Sequence, residues 1–242
     1  MHEFEKLAGR AVLVTGGGRG LGAEICHLLG EEGAHVVVTD IDAGSARATA
    51  DRIAAGPGRS CAFAMDVGDE AQVRQTLQAA VERFGPLDAL VNNAGIDVTV
   101  PLSELEPAVW ERVLRTNLTG PFLVAKHGIE HLVPGGHIVN IASTAARRAW
   151  PNASVYHASK WGLMGLTHAL HAELRALGVK VSAVIAGGMR TPFLLDRFPD
   201  IDESLLQDPR NVARAVKFIL TQPPETVVPE VMVLPMKETS WP

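Results

Sequence analysis

Cysteine is nearly missing from this chain. Only Cys26 and Cys61 occur, too few for a disulfide framework and too far apart in sequence for a metal knuckle, so a reducing cytoplasm is the expected setting. Long apolar runs are also missing: none approaches the ~18 residues of a transmembrane helix. The stretch Met1 to Lys6 is acidic and lacks the apolar core of a secretory signal. Charge of one sign does not dominate, and a net charge of −5 gives no reason to expect a nucleic-acid or anionic-membrane partner, which leaves a small molecule. No internal repeat, low-complexity tract or linker-like stretch divides the 242 residues. With 47% hydrophobic and 20% charged residues they are expected to form one domain, residues 1–242.

What is present is an alternation of short β-branched runs with longer helical stretches, the pattern of βαβ units around a parallel sheet. Strands are expected at Ala11 to Thr15, His35 to Thr39, Cys61 to Met65, Ala89 to Asn92, His137 to Ile141, Val179 to Ile185 and Val227 to Leu234. Continuous runs such as Val36-Val37-Val38 suit strands covered on both faces. Pro229 places the last strand at the rim. Helices are expected at Gly20 to Glu32, Ala43 to Ala54, Glu70 to Phe84, Pro107 to Arg115, Thr119 to Leu132, Ser154 to Leu177 and Pro209 to Leu220, with Asp69 as an N-cap and Gly178 as a C-cap. The expected fold is a Rossmann-type, doubly wound α/β sheet of seven parallel strands with helices on both faces. Met189 to Asp208, with its prolines and acidic residues, reads as a mobile flap.

The first strand runs into Thr15-Gly16-Gly17-Gly18-Arg19-Gly20-Leu21-Gly22 at the start of a helix. Glycines let backbone approach a pyrophosphate, and the helix N-terminus offers N–H groups and a favourable dipole. Asp40, ending the second strand, is positioned to bind the adenosine ribose hydroxyls and to repel a 2′-phosphate, which favours NAD(H) over NADP(H). Arg19 argues the other way, since a guanidinium in the loop is able to reach such a phosphate. Asp40 also reads as a plain strand-end turn residue.

Tyr156 is the only tyrosine, four residues before Lys160. On a helix this spacing puts phenol and ammonium on one face, and a nearby cation favours the phenolate. The pair taken alone equally fits a core-edge aromatic beside a snorkelling lysine. A hydride transfer at an alcohol or ketone needs a proton acceptor or donor at the oxygen, and Tyr156 meets that need. Ser143, ending the fifth strand, is placed to hold and polarise the substrate oxygen, or simply to cap a turn.

Several separated motifs then agree, and the chain resembles the classical short-chain dehydrogenase/reductase family over essentially all its length. Thr15 to Gly22 matches the family's Thr-Gly-x-x-x-Gly-x-Gly, Asn92-Asn93-Ala94-Gly95 its Asn-Asn-Ala-Gly, and Ser143, Tyr156 and Lys160 its Ser … Tyr-x-x-x-Lys. The resemblance implies that Asn117 is a fourth catalytic residue anchoring a water that leads from Lys160 to solvent, that Lys160 also binds the nicotinamide ribose, and that Asp66-Val67 holds the adenine. It implies cofactor contacts from Asn93, Ala94 and Gly95 and from the loop Ala186-Gly187-Gly188-Met189-Arg190-Thr191, where Gly187, Met189 and Thr191 face the carboxamide or pyrophosphate. Ala186 and Met189 depart from the family's Pro-Gly-x-Val-x-Thr, and the missing proline predicts a looser loop.

The implied activity is interconversion of a secondary alcohol and a ketone with NAD(H). Substrate contacts are expected from Ser143, Tyr156, Asp97, Val98, Thr144, Trp150, Met189, Phe193 and Leu194. The runners-up are an NADPH-dependent 3-oxoacyl thioester reductase and, from another class, a non-catalytic protein that senses the dinucleotide. The pairs His127/His131 and His168/His171 lack a metal-binding pattern and read as surface or satisfied histidines, and Arg147 with Arg148 as solvated or subunit-contact residues. The resemblance implies a homotetramer or homodimer paired through Thr119 to Leu132 and Ser154 to Leu177. The apolar tail from Val231 to Pro242 is a further docking candidate.

Overall fold

The computed structural model describes residues 6–237. Its strands are β1 (Ala11–Thr15), β2 (His35–Asp40), β3 (Arg59–Ala64), β4 (Leu87–Asn92), β5 (Leu132–Ser143), β6 (Lys180–Ala186) and β7 (Glu230–Val233). They form one all-parallel sheet of seven in the order β3-β2-β1-β4-β5-β6-β7. The chain winds outward from β1 to one rim, then returns to β4 and winds to the other. The switch between β1 and β4 opens a crevice at the carboxyl ends of the strands.

Alternate strand residues enter opposite faces. Val12, Val14, Val36, Val38, Val91 and Ile141 pack under α1 (Gly20–Glu31), α2 (Ala43–Ala54) and α8 (Pro209–Leu220). Leu13, Val37, Leu90 and Ile138 pack under α3 (Glu70–Phe84), α5 (Gly120–Gly128) and the end of α6 (Ser154–Leu174). Asp69 caps α3 as expected, accepting from the N–H groups of Ala71 and Gln72 at 3.0 and 3.1 Å.

Several boundaries differ from expectation. β3 starts at Arg59 rather than Cys61, because its partner β2 imposes the register His35 to Arg59. β5 begins at Leu132, which was expected to close a helix, and Leu132 pairs with Leu87. β7 is shorter than the apolar run and begins after Pro229, whose carbonyl still accepts from the Ala183 N–H at 2.8 Å. The helices expected at Pro107 to Arg115 and Thr119 to Leu132 are α4 (Pro107–Leu114) and α5, joined by a π-helical turn, Arg115–Thr119. Pro121 has no N–H for the carbonyl four residues back, and a widened turn is how a helix absorbs that loss. A short helix within the flap, α7 (Pro192–Leu195), was not expected. Among the described residues no helix is long and apolar enough to cross a membrane. Met1–Glu5 and the last five residues of the tail, 238–242, lie outside the described residues.

Candidate active site

The glycine-rich turn is shaped by close packing as well as by its ligand chemistry. Gly16 has φ +62, and a Cβ on Gly22 would sit 1.9 Å from the Gly16 carbonyl oxygen, so any side chain there would push the loop off the helix start. Arg19 is the N-cap of α1 and makes no side-chain cap bond, and the first turn holds no acidic residue. The leading N–H groups of Gly20, Leu21 and Gly22 therefore face the crevice uncapped by side chains, which suits an anion. The Leu21 side chain itself is core. Thr191, buried ahead of α7, packs against Gly20 from the opposite wall.

Asp40 ends β2 beside this turn. Its Oδ2 accepts from the Gly18 N–H at 2.9 Å and its Oδ1 from the Asp42 N–H at 3.1 Å. The carboxylate thus holds the loop as a turn residue would, and it also puts negative charge at the crevice edge. Arg19 is 71% exposed at its side chain and lies 3.6 Å from Asp196 of the flap, out in solvent. A cleft of about 360 Å³ behind the loop is lined by Thr49, Arg52 and Arg190 along with Arg19. Arg190 lies within the loop expected to meet the cofactor, but Arg52 was not expected here, since nothing local marks it as a neighbour of the glycine turn.

Asn93 bridges the two halves of the crevice floor. Its Nδ2 donates to the Thr15 and Gly16 carbonyls, each at 3.0 Å, while Thr15 Oγ1 accepts from the N–H groups of Asn93 and Ala94 at 3.0 and 3.1 Å. Asn92 Nδ2 donates to Asn140 Oδ1 at 2.8 Å, and Asn140 Nδ2 donates to Thr167 Oγ1 at 2.8 Å. This buried chain fixes β4, β5 and α6 at the crevice. Asp66 accepts from the Gly68 N–H at 2.8 Å and faces Arg115 at 3.7 Å, and Val67 is buried against Gly120. The loop after β6 is braced despite its two glycines. The Gly187 N–H donates to the Val233 carbonyl at 2.9 Å, the Arg190 N–H to Gln207 at 2.9 Å, and the Thr191 N–H to the Met189 carbonyl at 2.9 Å.

Asn117, Ser143, Tyr156 and Lys160 come together at the end of β5. Asn117 sits in the π-helical turn, where Oδ1 accepts from the Ile96 N–H and Nδ2 donates to the Ile96 carbonyl, both at 2.8 Å. Asn117 Nδ2 also donates to Ser159 Oγ at 3.0 Å, which links it to α6. Ser143 Oγ accepts from the Ala145 N–H at 3.1 Å, and its hydroxyl is near enough to the Tyr156 phenol to pull its pKa down. Lys160 is buried, with Nζ donating to the Ile141 carbonyl at 2.9 Å and lying 5.8 Å from the Tyr156 ring centroid. A Cβ on Gly95 would reach within 3.7 Å of that ammonium.

The electrostatics differ from the simple cation-lowers-phenol expectation. Burial pushes the Tyr156 phenol up to about 12, opposed first by the neighbouring Ser143 hydroxyl. Burial likewise brings Lys160 down to about 8, with Asp97 pulling it back up. Desolvation dominates at each group, and the charges that act on the phenol are those of Asp97 and Arg197.

Over this centre, Trp150 and Phe193 pack with Tyr156, Ala145 and Ala153. Phe193, on α7, lies 6.0 Å from the Tyr156 ring. His157, not singled out in the sequence, fixes this wall: Nδ1 donates to the Ala145 carbonyl at 2.9 Å and Nε2 accepts from the Trp150 N–H at 3.1 Å. Thr144 is buried in the turn that follows Ser143. Val98 is half-buried, and Leu194 lies in α7. Asp97 forms an ion pair with Arg197. Arg147 pairs instead with Glu230, which also binds His168 at 2.6 Å, and His127 binds Glu70 at 2.7 Å.

A short-chain dehydrogenase family model matches residues 10–202, across the crevice and the Ser143, Tyr156 and Lys160 cluster. The chain belongs to the short-chain dehydrogenase family. It is 35% identical over 244 residues to a cis-4-hydroxycyclohexanecarboxylate dehydrogenase of Sinomonas cyclohexanicum, covering 95% of this chain and 96% of the relative. A dehydrogenase/reductase of Sinorhizobium meliloti superposes with a TM-score of 0.87 at 33% identity, covering 95% of each chain. A metagenomic short-chain oxidoreductase solved in complex with NADP superposes with a TM-score of 0.83 at 32% identity, covering 95% of this chain and 98% of that one. This short-chain dehydrogenase is therefore an oxidoreductase with a nicotinamide-dinucleotide fold, of a kind that acts on hydroxyl groups.

Proposed function

We propose that this short-chain dehydrogenase interconverts a secondary alcohol and a ketone with NAD(H), and that Tyr156 moves the proton. The observation that carries the reading is the convergence of the buried Tyr156 phenol and Ser143 with buried Lys160 and Asn117 at the mouth of the dinucleotide crevice. The residues present fit a dinucleotide: the uncapped start of α1 suits the pyrophosphate, the Asp40 carboxylate the adenosine ribose hydroxyls, and Gly95 leaves room beside Lys160.

The nicotinamide supplies the hydride acceptor or donor. Ser143 holds the substrate oxygen and opposes charge on it. In the reducing direction the phenol gives its proton to the carbonyl oxygen as the carbon gains hydride. In the oxidising direction the phenolate takes the hydroxyl proton as the carbon loses hydride. A phenol held near 12 keeps its proton at neutral pH, so the resting residue is set as an acid. Lys160, near 8, is a proton carrier matched to neutral solution. The relative that oxidises a ring alcohol supports the alcohol/ketone class. Asp40 supports NAD(H) over NADP(H), while the neighbour bound to NADP sets the contrary case to be tested.

We further place the protein in the cytoplasm, as two unpaired thiols fit, and as a homo-oligomer pairing through α5 and α6. The test of the reaction is Tyr156→Phe, which keeps the ring and removes the proton. Turnover of secondary alcohols is expected to fall by at least ~100-fold, with NADH binding retained by fluorescence titration. Full turnover in that variant overturns the proton role, and loss of NADH binding points to a structural one.

A further inference from the structure

Asp97 and Arg197 meet beside Tyr156 yet take no part in the chemistry above. Asp97 stands on the loop after β4, and Arg197 follows α7 in the flap. Their side chains form an ion pair that is 4% exposed on the Asp97 side and 23% on the Arg197 side. Arg197 Nε donates to the Phe193 carbonyl at 3.1 Å, and its guanidinium lies 4.8 Å over the Phe193 ring and 5.1 Å over that of Phe198. Phe193 touches Tyr156 on its other side. Both charges are felt at the reacting phenol, and that of Asp97 at Lys160 as well.

The pair is incomplete. Asp97 Oδ1 is shielded from solvent and makes no hydrogen bond among the described residues, while Arg197 Nη1 is engaged by the other carboxylate oxygen, Oδ2. As a stability device this is poor, since apolar residues of the same volume would hold the flap as well or better than a buried ion pair with an unmatched carboxylate oxygen. As a recognition device it is specific. It sets one acceptor and one donor side by side, next to the group that serves the substrate oxygen. A carboxylate there would be repelled by Asp97, and an ammonium by Arg197. A hydroxyl is neutral and suits both with a single atom, donating to Oδ1 and accepting from a remaining guanidinium N–H.

We propose that Asp97 and Arg197 form a hydroxyl-reading subsite, and that the substrate is a diol or polyol whose second, unreacted hydroxyl lies close to the secondary alcohol served by Tyr156. This deepens the alcohol/ketone reading and rests on it. A site that hydrogen-bonds a hydroxyl discriminates strongly against the analogue lacking it, because its own buried groups are then left unpaired.

The experiment compares matched alcohols with the wild-type enzyme and both NAD⁺ and NADP⁺: 2-butanol against 2,3-butanediol, and cyclohexanol against the stereoisomers of 1,2-cyclohexanediol. The expected result is a kcat/KM about 100-fold or more higher for one diol of a pair, expressed chiefly in KM. Equal efficiencies within about threefold overturn the subsite and leave the alcohol/ketone reading standing. Turnover of none of the alcohols, nor of the matching ketones in reverse, overturns both. A second arm uses the Asp97→Leu, Arg197→Met double variant, whose apolar side chains keep the flap packed, with a melting curve as the check on folding. Its diol preference is expected to collapse to within about threefold, and a preference that persists overturns the assignment to this pair.

Discussion

Asp40 holds two positions at once. Its oxygens fasten the glycine turn and the start of α2, and in the proposed function the same carboxylate holds the adenosine ribose. Asp40→Ala is expected to raise the KM for NAD⁺ at least ~10-fold and to narrow the preference over NADP⁺, measured as the ratio of the two kcat/KM values. An unchanged ratio would move the selectivity to Arg19 and Arg52. The buried pair at the centre has its own signature. Lys160 falls from its ordinary 10.5 to about 8, so between those values the unfolded chain holds a proton that the folded one has shed, and stability rises with pH. Tyr156 rises from 10.0 to about 12, so above pH 10 the folded chain holds the extra proton and stability falls. Melting temperatures of wild type and a Lys160→Met, Tyr156→Phe double variant across pH 7 to 11 are expected to differ by both limbs, over a fall above pH 9 that the raised Cys26 and Cys61 thiols give to each protein. At this scale the proposed catalytic set was legible as a cluster because its members stand at fixed spacing in the sequence, and the fold gathers them at the end of β5. His157, Asn140 and Arg197 were not. Their partners Trp150, Asn92 and Asp97 are brought close by the sheet and the flap, and no periodicity reports such a meeting.

Between α4 and α5 the backbone widens for one turn, and Asn117 sits in it. Pro121 is the residue that denies a regular turn its donor. Pro121→Ala is expected to melt close to the wild-type temperature, because Pro121 lies in the first turn of α5, where proline is tolerated. Its kcat is expected to drop several-fold as the turn tightens and Asn117 leaves its hold on Ile96, which paired melting and kinetic measurements would check. The strands and long helices were legible, since Val-rich runs and caps such as Asp69 act locally. The π turn was not, because two helical patterns interrupted by Gly120-Pro121 look like two helices. Nor was α7, whose four residues are too few to express a period. β3 and β5 were displaced at their starts by pairing with neighbours, an influence that lies outside each segment.

Across the whole molecule, α5 and α6 leave large apolar side chains uncovered: Phe122 is 43% exposed and Trp161 52%. These are the helices through which the family likeness implies pairing. Phe122→Glu with Trp161→Glu is expected to shift the particle to a smaller species in size-exclusion chromatography with light scattering, and an unchanged mass would place the contact elsewhere. The overall winding was readable from the alternation of strands and helices, whereas the size of the assembly is written on a surface with no local grammar. The Asn92, Asn140 and Thr167 chain carries a consequence for how the protein is made. When the ribosome has delivered β1 to β4, the half-sheet ends on Leu90 and Val91 beside an Asn92 amide whose partner is 48 residues further on. Until β5 arrives, that edge is open, apolar and unmatched, so the nascent chain is most exposed to misassociation midway through its synthesis.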